Sequence, residues 1–250
     1  MNYWIILLIY FLIGLFAGLM SGIFGIGGGS IRTPLLNVAG LPLLTAFGIN
    51  LFTIPFSCSV GAYSHRKNIN YRVAFYLIVG GSAGSILGAL IAFYFSFNPL
   101  ILASIFVGVS IVTVLGVNLY KIFPQLSKKF KPLPAAVVSG GVILNTITGM
   151  RGGSGGSLFP PFLRALNLDM HEAIATSLFT AIFTASIAMG LYWYRGNIDW
   201  IPASVVLLGS IIGPPIGSKI SIKSKPRWLE IGLSIVVILL SLLTIYKALK

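Results

Sequence analysis

The chain has 250 residues, of which 56% are hydrophobic and only 8% charged, with a mean hydropathy of +0.97. A soluble domain carries about 25% charged residues, so the composition excludes a soluble globular protein, and 1–250 reads as a single transmembrane domain. The net charge is +13, from 17 Lys and Arg against 4 acidic residues. These basic residues lie between apolar runs, which points to topology determinants facing anionic lipid and argues against a nucleic-acid partner.

A hydrocarbon core of ~30 Å asks for roughly 20 apolar residues per spanning helix. In chain order the sequence predicts helices over 3–20, a short 31–39, 43–64, 71–95 and 100–120, then 134–149, a short 158–166, 170–194, 200–222 and 228–249. The first run lacks a basic leading segment and is read as a retained helix, not a signal peptide. A basic loop, 121–133, joins the two sets. Each set is a helix, a glycine-rich loop, a half-length helix and three full spans. The half-helices are too short to cross untilted and read as arms of broken or re-entrant elements. Cys58 is the single cysteine, which rules out an internal disulfide and argues against a cysteine-based metal site.

The two sets are copies of one unit. Pairing Pro34 with Pro161 gives an offset of 127 residues, at which Gly25/Gly152, Gly28/Gly155, Gly29/Gly156, Ser30/Ser157 and the tripeptides Leu51-Phe52-Thr53/Leu178-Phe179-Thr180 coincide. After a two-residue slip, Asn68-Ile69 aligns with Asn197-Ile198, and Gly80, Gly84 and Gly88 with Gly209, Gly213 and Gly217. The internal repeats cover approximately 3–120 and 134–249. Arg66, Lys67 and Arg72 follow the third helix of the first copy, whereas Lys219, Lys223, Lys225 and Arg227 follow the penultimate span of the second. Equivalent loops are therefore predicted on opposite sides of the membrane, as inverted-topology repeats.

Irregular backbone at membrane depth survives only where it is buried in protein or lines a wet cavity. Each glycine loop feeds the start of a half-helix, with Ser30 and Ser157 as expected caps and Pro34 and Pro161 expected in the first turn. Two such termini, meeting near the midplane, would offer N–H donors to an anion. The candidate substrate-binding residues are Gly27, Gly28, Gly29 and Ser30 in the first loop and Ser154, Gly155, Gly156 and Ser157 in the second. Arg32 and Arg151 join them, because a charge at this depth is costly and marks function, unless it snorkels to an interface. The repeat puts Phe159 at the position of Arg32 and Phe24 at that of Arg151, so the charge is asymmetric. Asn50 and its equivalent Ser177 either complete the coordination of an oxyanion or tie helices together.

The segment from Gly25 to Leu36, GIGGGSIRTPLL, and its echo from Gly152 to Leu163 resemble the TauE/SafE family of sulfite-exporter-like membrane proteins. The resemblance runs through nearly the whole chain, including the Lys67–Asn70 and Gly196–Asp199 turns, and departs at Ser154, where the first copy has Gly27. It implies a multi-pass transporter of the prokaryotic inner membrane that exports a small sulfur-containing or carboxylate anion, such as sulfite or sulfoacetate. No enzyme activity and no cofactor are expected, and a homodimer stays open.

Two other readings compete. A passive anion channel would use the same site without alternating access. An intramembrane serine protease would use Ser154, within Gly152-Gly153-Ser154-Gly155. A hydroxyl nucleophile needs a base within hydrogen-bond reach, and neither His65, in a basic loop, nor His171, beside Asp169 and Glu172, is expected deep enough. The acidic residues fall at predicted interfaces, so a buried carboxylate relay is not expected. Coupling is left to His171 and Glu172, to backbone-bound ions, or to a gradient alone.

Overall fold

The computed structural model describes residues 3–24, 28–122 and 133–223, together with positions 235, 239 and 246. Its helices in chain order are α1 Tyr3–Phe24, α2 Gly29–Val38, α3 Leu43–Ser64, α4 Tyr71–Tyr94, α5 Pro99–Ile122, α6 Pro134–Gly149, α7 Phe159–Ala165, α8 Met170–Tyr194 and α9 Trp200–Lys223. Five of the described helices, α1, α3, α4, α8 and α9, are long and apolar enough to cross a bilayer. The predicted span 228–249, most of the 121–133 loop, and Gly25, Ile26 and Gly27 lie outside the described residues.

Local signals set the boundaries. Asn70 caps α4 by accepting from the Val73 amide at 3.2 Å, and Asp169 caps α8 by accepting from the Glu172 amide at 2.9 Å. The half-helices depart from expectation at their starts. The residue before α2 is Gly28, with φ of 76°, and the residue before α7 is Leu158; neither makes a side-chain cap. Ser30 lies inside α2, and Ser30 and Ser157 spend their hydroxyls elsewhere. Pro34 is the sixth residue of α2, whereas Pro160 and Pro161 do sit in the first turn of α7.

Packing is by close approach of small residues. A Cβ on Gly14 would lie 2.1 Å from the Val206 carbonyl oxygen, on Gly18 2.8 Å from that of Ser210, and on Gly22 2.4 Å from that of Pro214. Those contacts rise together in both helices, so α1 and α9 are parallel. The pair α4 and α6 repeats the pattern, with Gly80, Gly84 and Gly88 against Val138, Val142 and Thr146. Under the sequence offset, α1 corresponds to α6 and α9 to α4, so the two pairs are counterparts. Between them α3 packs on α8, and α2 and α7 lie on α3 and α8 respectively.

The turn containing Asn197 lies against the start of α3, where Gly48 approaches the Asn197 carbonyl. The turn containing Asn70 lies against the start of α8, through Thr176 at 3.0 Å and Glu172 at 2.8 Å. These equivalent turns are thus at opposite ends of the bundle. Exposed Trp4, Tyr94, Trp193, Tyr194 and Trp200 crowd one end, and exposed Arg66, Lys67, Arg72 and Lys219 the other.

Candidate functional site

The described end of the first glycine segment, Gly28 to Ser30, meets the second glycine loop in the interior through Asn50 and Arg151, and left-handed backbone explains part of the composition. Gly28, Gly152 and Gly155 have φ of 76°, 67° and 67°, a region that costs an ordinary residue roughly 1–2 kcal/mol. Close approach explains more. A Cβ on Gly29 would meet the Asn50 amide at 2.6 Å, on Gly152 the Phe47 side chain at 2.3 Å, and on Gly155 the Phe159 ring at 2.2 Å.

Arg32, fully buried on α2, sends Nη1 to Asn50 Oδ1 at 2.6 Å and Nη2 to Ser210 Oγ at 3.1 Å. Asn50 is held in turn by donating Nδ2 to the Gly152 carbonyl at 2.7 Å. Ser210 donates to the Gly14 carbonyl at 3.2 Å. Arg151, buried in the second loop, sends Nη1 to Ser110 Oγ at 3.1 Å and Nη2 to Ser30 Oγ at 2.7 Å and to Ser157 Oγ. Ser210 is the eleventh of 24 residues in α9 and Ser110 the twelfth of 24 in α5. Both guanidiniums are therefore anchored halfway along full-length helices, at bundle mid-height. Neither side chain reaches the surface of the bundle: Arg32 is 0% and Arg151 2% exposed.

The electrostatics are unusual. Among the described residues neither guanidinium meets a carboxylate; every partner is a hydroxyl or a side-chain amide. The Nε of each arginine is buried without a hydrogen-bond partner among the described residues. Taking a cation out of water carries an effective penalty of several kcal/mol unless an opposite charge or a full set of hydrogen bonds compensates. Neither guanidinium has that opposite charge among the described residues.

The two halves differ at this point as the repeat predicts. The Phe159 ring approaches Gly155 and Gly81, the counterparts of the Gly28 and Ser210 positions that the Arg32 guanidinium approaches. In the second half the polar load passes to Asn145, which donates to the Gly81 carbonyl and to Ser85 Oγ at 2.6 Å. Thr148 Oγ1 accepts from the Gly155 amide at 2.6 Å, and Ser177 donates to the Gly156 carbonyl at 3.3 Å.

Of the candidates, Ser30, Arg151 and Ser157 form one group, and Arg32, Asn50 and Gly29 a second beside it. Gly155, Gly156 and Ser177 brace the second loop; Gly27 falls outside the described residues. Ser154 is buried and its hydroxyl has no partner among the described residues, so no described base holds it as a nucleophile. The sequence reading missed Ser110, Ser210, Asn145 and Thr148. Ser110 and Ser210 are single hydroxyls within apolar stretches, and Asn145 and Thr148 belong to the short polar run Asn145-Thr146-Ile147-Thr148; none carries a spacing signal, and Asn145 alone stands out as an amide mid-helix.

A family model described as "Sulfite exporter TauE/SafE" matches residues 10–244. A probable membrane transporter protein of Bacillus subtilis, YjnA, is 30% identical, over 88% of this chain and 92% of its own length. A second from that organism, YunE, is 25% identical over 94% of this chain and 96% of its own. A probable membrane transporter protein of Haemophilus influenzae is 28% identical over 86% of this chain and 84% of its own. No solved structure matches the chain.

Proposed function

We infer cargo and route from one premise: the chain belongs to the sulfite exporter TauE/SafE family, and is a membrane transporter, not an enzyme. It carries a small oxyanion, a sulfur-containing or carboxylate anion such as sulfite or sulfoacetate, out of a prokaryotic cell. The observation that carries this reading is the pair of buried guanidiniums at mid-height, held by hydroxyls and an amide, each with a buried Nε that has no partner among the described residues. A guanidinium offers donors in a planar fork matched to oxyanion oxygens. An arriving anion supplies the charge that Arg32 and Arg151 lack.

The route is alternating access between inverted repeats, in the inner membrane. In support, counterpart helices pair α1 with α9 and α6 with α4, and equivalent turns lie at opposite ends of the bundle. The basic end, with Arg66, Lys67, Arg72 and Lys219, faces the cytoplasm by the positive-inside rule, and the aromatic end faces out. The short α2 and α7 are half-helices that bring the loops from opposite sides to one site.

Counterflow in proteoliposomes tests the reading. Sulfite loaded on one side should accelerate uptake of labelled sulfite from the other. Uptake without such acceleration would favour a passive channel, and no anion flux at all would refute the assignment.

A further inference from the structure

A second group of buried polar atoms lies away from the arginines, at the end of the bundle where α3 stops and α8 begins. Helices α1, α3 and α9 run in the same direction there, with Gly22 against Pro214 and Gly61 in contact with Leu178 and Pro214. Beyond those contacts come His65, which ends α3, with Ser218 and Ser221 on α9, while Ser21 precedes Gly22 on α1. All four are buried, and their side-chain nitrogens and oxygens lack hydrogen-bond partners among the described residues.

His65 is the most constrained of them. It is 1% exposed, and neither Nδ1 nor Nε2 has a hydrogen-bond partner among the described residues. The Gly22 backbone lies beside the ring outside hydrogen-bond geometry, and His171, whose own Nδ1 is unpartnered, faces it from α8. Among the described residues, the other charges at this end are turned away or engaged. Arg66 stacks on Tyr63 at 4.4 Å, Lys67 and Lys219 are exposed, and Glu172 accepts from Asn70. The last turn of α1 brings no ionisable group. A neutral imidazole has one donor and one acceptor, and burying both unmet is costly, so the arrangement calls for a ligand.

We propose that His65 is a second anion-binding position, between the α3–α8 end and Arg32, and that its imidazole takes up a proton from water as the anion arrives. The proposal rests on the reading of Arg32 and Arg151 as the substrate site. Cys58 lies near both Ser21 and Arg32, so polar groups continue from one position to the other. Histidine is the side chain that becomes cationic near neutral pH. Burial, the largest influence, holds the His65 imidazole below its ordinary range, opposed by the Gly22 backbone and reinforced by His171, so without an anion it is neutral at pH 7. An adjacent anion raises that value, and by linkage binding is then strongest at low pH and weakens as pH rises through the interval between the two values. The anion thus binds together with a proton.

The test uses the purified full chain with sulfate and methanesulfonate, whose own charge is constant across the range. Affinity is measured from about pH 6 to about pH 8, with proton uptake read by calorimetry in two buffers of different ionisation enthalpy. Affinity should fall by up to about tenfold per pH unit, with about one proton bound per anion. His65→Gln should flatten the slope and abolish uptake, and His171→Gln should preserve both. PH-independent binding without proton uptake in the unaltered protein would overturn the role of His65 and leave the arginine site standing. So would a slope that persists in His65→Gln; if that variant does not fold, His65→Asn and the unaltered protein's proton count decide. Binding of neither anion at any pH would overturn both readings.

Discussion

Arg151, from the second glycine loop, donates to Ser30 Oγ in the first half-helix at 2.7 Å. This contact bridges 121 residues of sequence and joins the two repeats at the centre of the molecule. Because Arg151 also holds Ser157, the paired serines of the repeat are gathered by a single arginine that only one copy supplies. The expected caps have become a clasp.

Ser30→Ala and Ser157→Ala test the clasp. Each removes an acceptor from a buried cation, and a hydrogen bond to a charged group is worth about 1.5–3 kcal/mol. Each variant should lose about that much stability in detergent unfolding, and the double variant should be non-additive because the two share one partner. Strict additivity would indicate that the hydroxyls act independently of Arg151.

The glycine zippers give a second expectation. Gly14→Ala and Gly80→Ala would place a methyl 2.1 Å and 2.0 Å from backbone carbonyl oxygens of Val206 and Val138, so the helix pairs must separate. Overpacking of this kind costs typically 1–3 kcal/mol. Gly190→Ala, where a Cβ meets nothing within 4 Å, should be neutral or slightly stabilising. Equal thermal stability of all three variants would contradict the parallel register of α1 on α9.

Much of this architecture was legible in the sequence. Predicted bounds for α3, α6 and α8 coincide with the observed helices, because Pro, Asn and Asp punctuate long apolar runs there. The arginines stood out because charge is rare in such runs. The partners of those arginines were not legible: Ser110 and Ser210 reach them only through the register of α5 and α9, which no local spacing encodes. The glycines were legible as special but for a partial reason. Gly155 is fixed by its φ of 67° and by the Phe159 ring, so Gly155→Val would disturb folding whether or not an anion binds. Substitutions there cannot separate binding from packing.

Orientation has its own test. In a Cys58→Ser background, single cysteines at positions 66 and 196 should label from opposite sides of the membrane, with 66 cytoplasmic. Those positions flank the turns that pack on the starts of α8 and α3 respectively. Labelling from one side would contradict the inverted arrangement.

The central claim is that Arg32 and Arg151 hold the anion, and direct binding to purified variants tests it most closely. Sulfite affinity, measured by calorimetry, should fall about tenfold or more in at least one of Arg32→Gln and Arg151→Gln, since a charge-assisted hydrogen bond contributes about 1.5–3 kcal/mol. Arg→Lys at the same position should lose less, keeping the charge without the planar fork, and Lys67→Gln at the exposed basic end should change little. Unaltered sulfite affinity in both glutamine variants, folded and monodisperse, would contradict the account.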